Sequence, residues 1–217
     1  MESSAMIIIS HRGYWKSDAE KNRWEAFDRS FSLGYGTETD LRDHRESLVI
    51  SHDMANESAI TADAFFERAT GTYPSLPLAL NIKADGLQAA LRVLLDQYAI
   101  TDYFVFDMSI PDTLGYIRAG IRFFSRQSEY EPQPAFYEEC AGIWLDAFQS
   151  VWYDAAVIEA HAANGKSVAI VSPELHKREP LELWKLLKNS GLHHSEKVIL
   201  CTDLPEDATH FFSTYEN

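Results

Sequence analysis

The first quarter of the sequence carries three groups of residues that could support acid–base and metal chemistry. His11-Arg12-Gly13 directly follows Ile7-Ile8-Ile9, an apolar run typical of a strand buried on both faces. Glu38 and Asp40 are two residues apart in a short strand-like stretch, so both carboxylates point to one face. His52-Asp53 follows another apolar run. Two histidines and two carboxylates on one face suggest a divalent metal ion together with an acid–base pair.

Short apolar runs alternate with longer amphipathic ones along the rest of the chain. Period-2 and fully apolar patterns predict eight strands, and 3.6-residue periodicity with helix-stop signals predicts helices between them. The predicted strands are 6–10, 36–41, 78–82, 103–107, 121–125, 141–146, 167–171 and 198–201. The predicted helices are 22–33, 86–98, 112–119, 150–163, 181–189 and 205–213. The stretch 129–134, with two prolines, predicts a loop in place of a helix.

This alternation predicts an α/β fold with parallel strands and right-handed crossovers. Eight such units would close into a single (β/α)8 TIM barrel spanning residues 1–217, compact and with some helices short or missing. An open doubly wound sheet is the competing architecture. Polar residues follow almost every predicted strand, and in a closed barrel they would converge on one rim. We therefore expect one barrel domain with its chemistry at the carboxyl ends of the strands.

Composition narrows the class of protein. The chain has 217 residues and a net charge of −14, with 33 acidic residues against 19 basic ones. Nucleic acid and anionic membranes attract basic patches, so we expect no nucleic-acid partner and no stable membrane association. No apolar run approaches the roughly 20 residues of a membrane span, and no signal peptide is recognisable. Cys140 and Cys201 have no nearby Cys or His, which predicts neither zinc nor a disulfide and fits a cytoplasmic location. The oligomeric state stays open.

Several motifs together resemble the glycerophosphodiester phosphodiesterase family, within the phospholipase C-like phosphodiesterase superfamily. The resemblance is most specific in the first 55 residues, and beyond Lys83 it depends on strand order and the last motif. The matching segments are His11-Arg12-Gly13, Glu20-Lys21-Asn22 leading to Ala26-Phe27, Glu38-x-Asp40, His52-Asp53, Asn81-Ile82-Lys83 and Thr202-Asp203-Leu204-Pro205.

The resemblance implies hydrolysis of a small soluble glycerophosphodiester, or a related polyol or sugar phosphodiester, to an alcohol and a phosphomonoester. Glu38, Asp40 and Asn81 would hold a divalent cation, Mg²⁺ or Ca²⁺. His11 would act as the base and His52 as the acid. A hydroxyl next to the phosphoester would permit a cyclic phosphate, so a lyase that releases this cyclic product is an alternative to the hydrolase.

Phosphate charge and the alcohol portion of the substrate need further side chains. Arg12 would bind phosphate through its guanidinium fork and Lys83 as a point charge. Rim residues near an aromatic face suit a polyol or sugar. The candidates for substrate binding are Asp107, Arg126, Glu129, Trp144, Asp146 and Glu174. Among the histidines outside these motifs, His176 is the least ordinary because it follows a strand end.

The sequence departs from the family at three places. Asn81 stands where the family has an acidic metal ligand, which removes one negative charge from the site. Lys21 replaces the glutamate of a Glu-Asn pair, and the insert after His52 is short. These departures motivate an alternative function, a non-catalytic barrel that binds a phosphorylated ligand.

Overall fold

The computed structural model describes residues 5–72 and 76–214, which contain ten strands and seven α-helices. The strands are β1 (Ile7–His11), β2 (Gly36–His44), β3 (Ser47–Ile50), β4 (Ile60–Thr61), β5 (Leu78–Ile82), β6 (Tyr103–Phe106), β7 (Phe124–Gln127), β8 (Gly142–Leu145), β9 (Ser167–Val171) and β10 (Val198–Thr202). The helices are α1 (Trp24–Ser32), α2 (Ala62–Thr72), α3 (Gln88–Gln97), α4 (Ile110–Arg118), α5 (Ala155–Ala163), α6 (Leu181–Asn189) and α7 (Pro205–Ser213). None of the helices in the described ranges is long and apolar enough to cross a membrane.

The described residues divide into two compact units. Residues of 1–11 and 124–217 form one, which we call the terminal unit, and residues of 12–123 form the central unit. The terminal unit contains a sheet in the order β1-β10-β9-β8-β7, with every neighbouring pair parallel. Its interior strand β10 is buried along its whole length, which explains the continuous apolar run Val198–Cys201. Because the strands are parallel, their carboxyl ends lie on one edge of this sheet.

The central unit has a mixed sheet. Strands β2, β5 and β6 pair in parallel, whereas β3 pairs antiparallel with both β2 and β4. Aromatic side chains from α1 and α2 fill its core: Phe27, Phe31, Phe65 and Phe66 are almost completely buried. The rings of Phe27 and Phe65 meet edge to face with centroids 4.8 Å apart. This packing holds the two helices together.

The predicted α/β class with mostly parallel strands is confirmed. Strands 78–82 and 167–171 and helices 181–189 and 205–213 occur with the predicted bounds, and residues 129–134 lie in a loop. The predicted strand 121–125 is wrong by about three residues. The strand found there is Phe124–Gln127, because these are the residues that pair with β8. The predicted helix 150–163 begins only at Ala155. Helix α2 was not predicted, since Thr70 and Gly71 lower its helix propensity and only the buried phenylalanines compensate.

The turn after β1 brings the backbone of residues 12 and 13 close to α1 and β2. Arg12 and Gly13 both have left-handed φ angles, +57° and +79°. The Gly13 N–H donates to Thr37 Oγ1 at 2.9 Å. A Cβ atom at Gly13 would lie 2.7 Å from Ala26 Cβ and 2.9 Å from the Phe27 nitrogen. Only glycine therefore combines this φ angle with such close packing.

We expect Gly13→Ala to destabilise the protein more than Gly34→Ala does. Gly34 has a similar φ of +81° but no atom within 4 Å of the added Cβ, so this control isolates the strain of the φ angle. That strain costs about 1–2 kcal/mol, and the clash at Gly13 should add about 1–3 kcal/mol. Urea unfolding of both variants measures the difference, and equal losses of unfolding free energy would contradict the packing argument.

Candidate active site

Five of the predicted site residues lie together in the central unit. We call Arg12, Glu38, Asp40, Asn81 and Lys83 the central cluster. Glu38 and Asp40 are alternate residues of β2 and are 2% and 0% exposed. Asp40 and Asn81 are register partners on the parallel strands β2 and β5, so their side chains project from the same face. The sheet therefore brings three oxygen-bearing side chains next to each other.

The Asp40 carboxylate is the most heavily contacted group of the central cluster. Its Oδ2 atom lies 2.9 Å from Arg12 Nε and accepts a hydrogen bond from Asn22 Nδ2 at 2.8 Å. Its Oδ1 atom lies 3.3 Å from Lys83 Nζ. The Arg12 backbone N–H points to Glu38 Oε2 at 3.2 Å. Two cations thus share one buried carboxylate, an arrangement that leaves positive charge available to an anion.

The oxygen atoms of the central cluster fit a hard divalent cation. Asn81 is 7% exposed, and its Oδ1 atom is buried without a hydrogen-bond partner in the described residues. Asp40 Oδ1 likewise accepts no hydrogen bond there. Mg²⁺ and Ca²⁺ prefer such carboxylate and amide oxygens. The described residues contain no group of three or more His, Cys, Asp or Glu side chains placed to hold a metal, so a three-ligand site depends on the Asn81 amide.

His52 lies on an exposed loop of the central unit. Its Nδ1 atom is 2.8 Å from Asp53 Oδ1. This hydrogen bond lowers the pKa of Asp53, with smaller effects from the charges of His52, Arg12 and Arg42. A carboxylate can only accept, so Nδ1 carries the proton and Nε2 is the acceptor when the ring is neutral. Such a ring can exchange a proton at Nε2.

His11 has the same kind of partner in the terminal unit. Its Nδ1 atom lies 2.8 Å from Oδ1 of Asp203, a residue 192 positions further along the chain that directly follows β10. The same reasoning places the proton on Nδ1 and the acceptor lone pair on Nε2. The two histidines predicted to be catalytic are therefore both oriented through Nδ1 by an aspartate.

Glu174 is bound to the turn that carries Asp203. Its Oε1 atom accepts hydrogen bonds from the Thr202 hydroxyl and, at 3.1 Å, from the Asp203 N–H. Its Oε2 atom accepts from the Ser172 hydroxyl. Burial raises the pKa of Glu174, and the hydrogen bonds from Ser172 and Thr202 oppose this effect. Glu174 therefore contacts the protein through both oxygens and positions the residue that orients His11.

The other predicted substrate-binding residues have separate surroundings. Trp144 is 4% exposed within β8. Arg126 forms an ion pair with Glu131, and Glu129 accepts the N–H groups of Phe148 and Gln149 at 3.1 and 2.6 Å. Asp107 follows β6 in the central unit with a φ of +66°. Asp146 is 6% exposed, follows β8 directly, and contacts His176.

Several residues that contact the predicted site residues were not among the sequence candidates. Asn22, Asp53, Asp203 and His176 are four of them. Asn22, Asp53 and Asp203 belong to the motifs of the resemblance, so the signal was present. His176 was singled out only by its place after a strand. Its partner Asp146 is 30 residues away, and no local pattern connects the two.

The chain matches known proteins in its three-dimensional structure but not in its sequence. No family model matches the sequence, and no curated protein matches it either. Solved structures do match over almost the whole chain. A proposed glycerophosphodiester phosphodiesterase from Galdieria sulphuraria aligns with a TM-score of 0.76 and 16% identity, covering 99% of this chain and 100% of that one. The chain has the fold of the glycerophosphodiester phosphodiesterases.

Two further solved structures extend the comparison. An Oleispira antarctica phosphodiesterase in complex with the product sn-glycerol-3-phosphate has a TM-score of 0.70 and 16% identity, with coverage of 97% of this chain and 98% of that one. A Ca²⁺-dependent phosphatidylinositol-specific phospholipase C from Streptomyces antibioticus has a TM-score of 0.59 and 10% identity, with coverage of 97% and 96%. The resemblance recognised in the sequence is therefore confirmed at the level of the fold.

Asp40→Asn should destabilise the protein strongly even without any metal ion. The substitution leaves Arg12 and Lys83, whose side chains are each 21% exposed, next to a neutral group. Breaking a buried ion pair on one side costs about 3–5 kcal/mol, and this partial exposure should reduce the loss to roughly 2–3 kcal/mol. The measurement is urea unfolding in chelator. Asp18→Asn, which removes an 87% exposed carboxylate from Lys21, is the control and should change stability little. Equal effects of the two variants would refute this account.

Glu174→Gln should change how stability depends on pH. A carboxyl group whose pKa is raised in the folded state binds its proton more tightly there than in the unfolded chain. Its contribution to stability is complete below the ordinary value of 4.5 and is lost as the pH rises through the folded pKa. Above pH 4.5, unfolding free energies should therefore move in favour of the glutamine variant. Glu182→Gln, at an exposed position on α6, controls for the lost charge. Parallel curves for wild type and Glu174→Gln would contradict the prediction.

Proposed function

We propose that this protein is a metal-dependent phosphodiesterase that hydrolyses a small soluble glycerophosphodiester, or a related polyol or sugar phosphodiester, to an alcohol and a phosphomonoester. The observation that carries the proposal is the central cluster, in which oxygen ligands for a cation and two basic side chains surround one buried carboxylate. The shared fold supports it, and so does the product sn-glycerol-3-phosphate in the Oleispira antarctica structure.

In this proposal Glu38, Asp40 and Asn81 hold Mg²⁺ or Ca²⁺. When bound, the cation neutralises charge on the non-bridging phosphate oxygens. The Ca²⁺ dependence of the Streptomyces antibioticus phospholipase C, which shares the fold, supports a divalent ion. Arg12 and Lys83 balance the remaining phosphate charge, and their contacts with Asp40 keep both side chains directed to the central cluster.

His11 and His52 supply the proton transfers. His11 accepts a proton from the attacking hydroxyl at Nε2, and His52 donates one to the departing oxygen from Nε2. The aspartate partners Asp203 and Asp53 keep each Nδ1 protonated, so that Nε2 is the reacting nitrogen in both rings. Attack by water yields a phosphomonoester directly. Attack by a neighbouring substrate hydroxyl yields a cyclic phosphate, and release of this product would make the protein a lyase.

The proposal also covers the domain architecture of the protein and its location in the cell. It includes one domain over residues 1–217, built as a closed (β/α)8 TIM barrel in the cytoplasm, and the near-complete coverage of the Galdieria sulphuraria structure supports the single domain. Asp107, Arg126, Glu129, Trp144, Asp146 and Glu174 remain its candidates for substrate contacts. We expect neither a nucleic-acid partner nor stable membrane association, because the net charge is −14.

A second candidate function is binding of a phosphorylated ligand without turnover. The observation that favours it is Asn81, since a neutral amide supplies less charge to hold a cation than a carboxylate would. The two oriented histidines count against it, because a binding protein has little need of two imidazoles that each present Nε2.

Phosphorus NMR of the purified protein with a panel of glycerophosphodiesters tests this function. We expect conversion to a monoester or cyclic phosphate with Mg²⁺ or Ca²⁺ and none with chelator. His11→Ala and His52→Ala should each lower kcat about 10²- to 10⁴-fold, whereas His210→Ala, at an exposed position on α7, should leave it unchanged. Saturable binding without conversion across the panel would favour the binding protein. Full activity in chelator would contradict the metal.

A further inference from the structure

Three described histidines each contact an aspartate, and the proposed mechanism uses only two of them. The third, His176, follows β9 in the terminal unit and contacts Asp146, which follows β8. Its Nε2 atom lies 2.7 Å from Asp146 Oδ1, and the two side chains are 24% and 8% exposed. A partly exposed imidazole is thus held by a nearly buried carboxylate at the carboxyl edge of the sheet, and His176 takes no part in the proposed proton transfers.

The surrounding contacts keep this pair in place. Asp146 Oδ1 also accepts the Ala147 N–H at 2.7 Å, and the Asp146 carbonyl accepts from Trp152 Nε1 at 2.8 Å. The Arg178 guanidinium donates to the Ala147 carbonyl. The loops after β8 and β9 are therefore cross-linked on both sides of the pair. Such pre-organisation is typical of a side chain that must meet a ligand at a defined position.

The pairing through Nε2 determines what His176 can bind. Because the carboxylate only accepts, Nε2 carries the proton and Nδ1 of the neutral ring is an acceptor. His176 Nδ1 makes no hydrogen bond within the described residues. This is the opposite orientation from His11 and His52, which contact their aspartates through Nδ1. An acceptor nitrogen matches a ligand O–H group, whereas the oxygens of a fully ionised phosphate offer no proton to donate.

An aromatic residue next to the pair points to the same kind of ligand. The Phe148 ring lies 5.0 Å from the His176 ring, centroid to centroid. An aromatic face next to a hydrogen-bonding group is a combination that binds polyols and sugars.

The pair lies on the same sheet edge of the terminal unit as His11, the proposed base. His11 ends β1, and the sheet order β1-β10-β9 separates it from the strand preceding His176 by two strand spacings. At about 4.8 Å per spacing this is roughly 10 Å along the edge. Glu174 bridges the interval, since it precedes His176 by two residues and accepts the Asp203 N–H. A ligand extending along this edge from His11 would pass Glu174 and reach His176.

We propose that His176, oriented by Asp146, forms with Phe148 a subsite that binds a hydroxyl group of a polyol or sugar moiety of the substrate. The inference rests on the proposed function, since it names the substrate class that the same edge of the sheet would accept. His176 contacts the alcohol portion and takes no part in the proton transfers. Asp146 is a positioning residue that acts through His176.

Binding of three phosphomonoesters in the presence of Mg²⁺ tests the subsite without requiring turnover. sn-Glycerol 3-phosphate and glucose 1-phosphate carry hydroxyl groups, and ethyl phosphate carries none. With ¹⁵N-labelled histidine, at least one hydroxyl-bearing probe should shift the Nδ1 resonance of His176, and ethyl phosphate should not. His176→Gln, which keeps a donor for Asp146, should weaken binding of that probe about 3- to 10-fold and leave ethyl phosphate unchanged. His210→Gln, on the exposed face of α7, should change neither.

The outcomes separate this inference from the proposed function. If no hydroxyl-bearing probe shifts His176, or if His176→Gln weakens ethyl phosphate equally, the subsite is refuted even when the protein hydrolyses phosphodiesters. If phosphorus NMR shows no turnover but the probes behave as expected, the subsite stands and the catalytic proposal fails. Phe148→Leu is a second variant that leaves the His176–Asp146 pair intact and should weaken the same hydroxyl-bearing probe. Melting temperatures of the variants verify that each is folded.

Discussion

The buried negative charge of Asp40 is the constraint to which the polar residues of the central unit respond. A carboxylate with no exposure to solvent is costly unless cations and hydrogen-bond donors compensate it. Arg12, Lys83 and Asn22 supply this compensation from three different segments of the chain. The strained left-handed backbone of Arg12 and the close packing of Gly13 follow, because the turn after β1 must direct the guanidinium to Asp40. The residues that stabilise this buried charge are therefore the same ones that we propose bind phosphate.

The carboxylate partner of each histidine decides which nitrogen is chemically available. His11 and His52 contact aspartates through Nδ1, and His176 contacts one through Nε2. The two kinds of pair are not interchangeable, since they present different ring atoms in different directions. In the terminal unit the parallel strands place His11 with Asp203 and His176 with Asp146 along one edge. A single sheet can therefore hold both the pair proposed for proton transfer and the pair proposed to bind a hydroxyl group.

Local sequence patterns predicted the strands that are buried throughout. They failed for elements whose position depends on contacts with distant parts of the chain. The strands Leu78–Ile82 and Ser167–Val171 are buried almost throughout, so their apolar runs identify them unambiguously. The register of β7 depends on pairing with β8, which no window of sequence contains. Helix α2 depends on the burial of Phe65 and Phe66, and Phe65 packs against Phe27 and Phe31 of α1. Glu38 and Asp40 were recognisable from their spacing, and Arg12, Asn81 and Lys83 from the family resemblance. The His176–Asp146 pair joins two loops and becomes evident only when β8 and β9 are adjacent.

Asn81 leaves the central cluster one negative charge short of what a carboxylate at this position would give. This difference helps to decide between the catalytic and the binding function. Glu38 and Asp40 are balanced by Arg12 and Lys83, so a divalent cation would bring the whole cluster to a charge of about +2. A third carboxylate in place of Asn81 would lower this charge by one and hold the cation more tightly. Under the proposed function, the amide would therefore favour a cation that binds together with an anionic substrate. It would also strengthen attraction to the extra negative charge that develops on phosphate oxygens in the transition state. A neutral third ligand is thus compatible with turnover, at the expense of cation affinity in the absence of substrate.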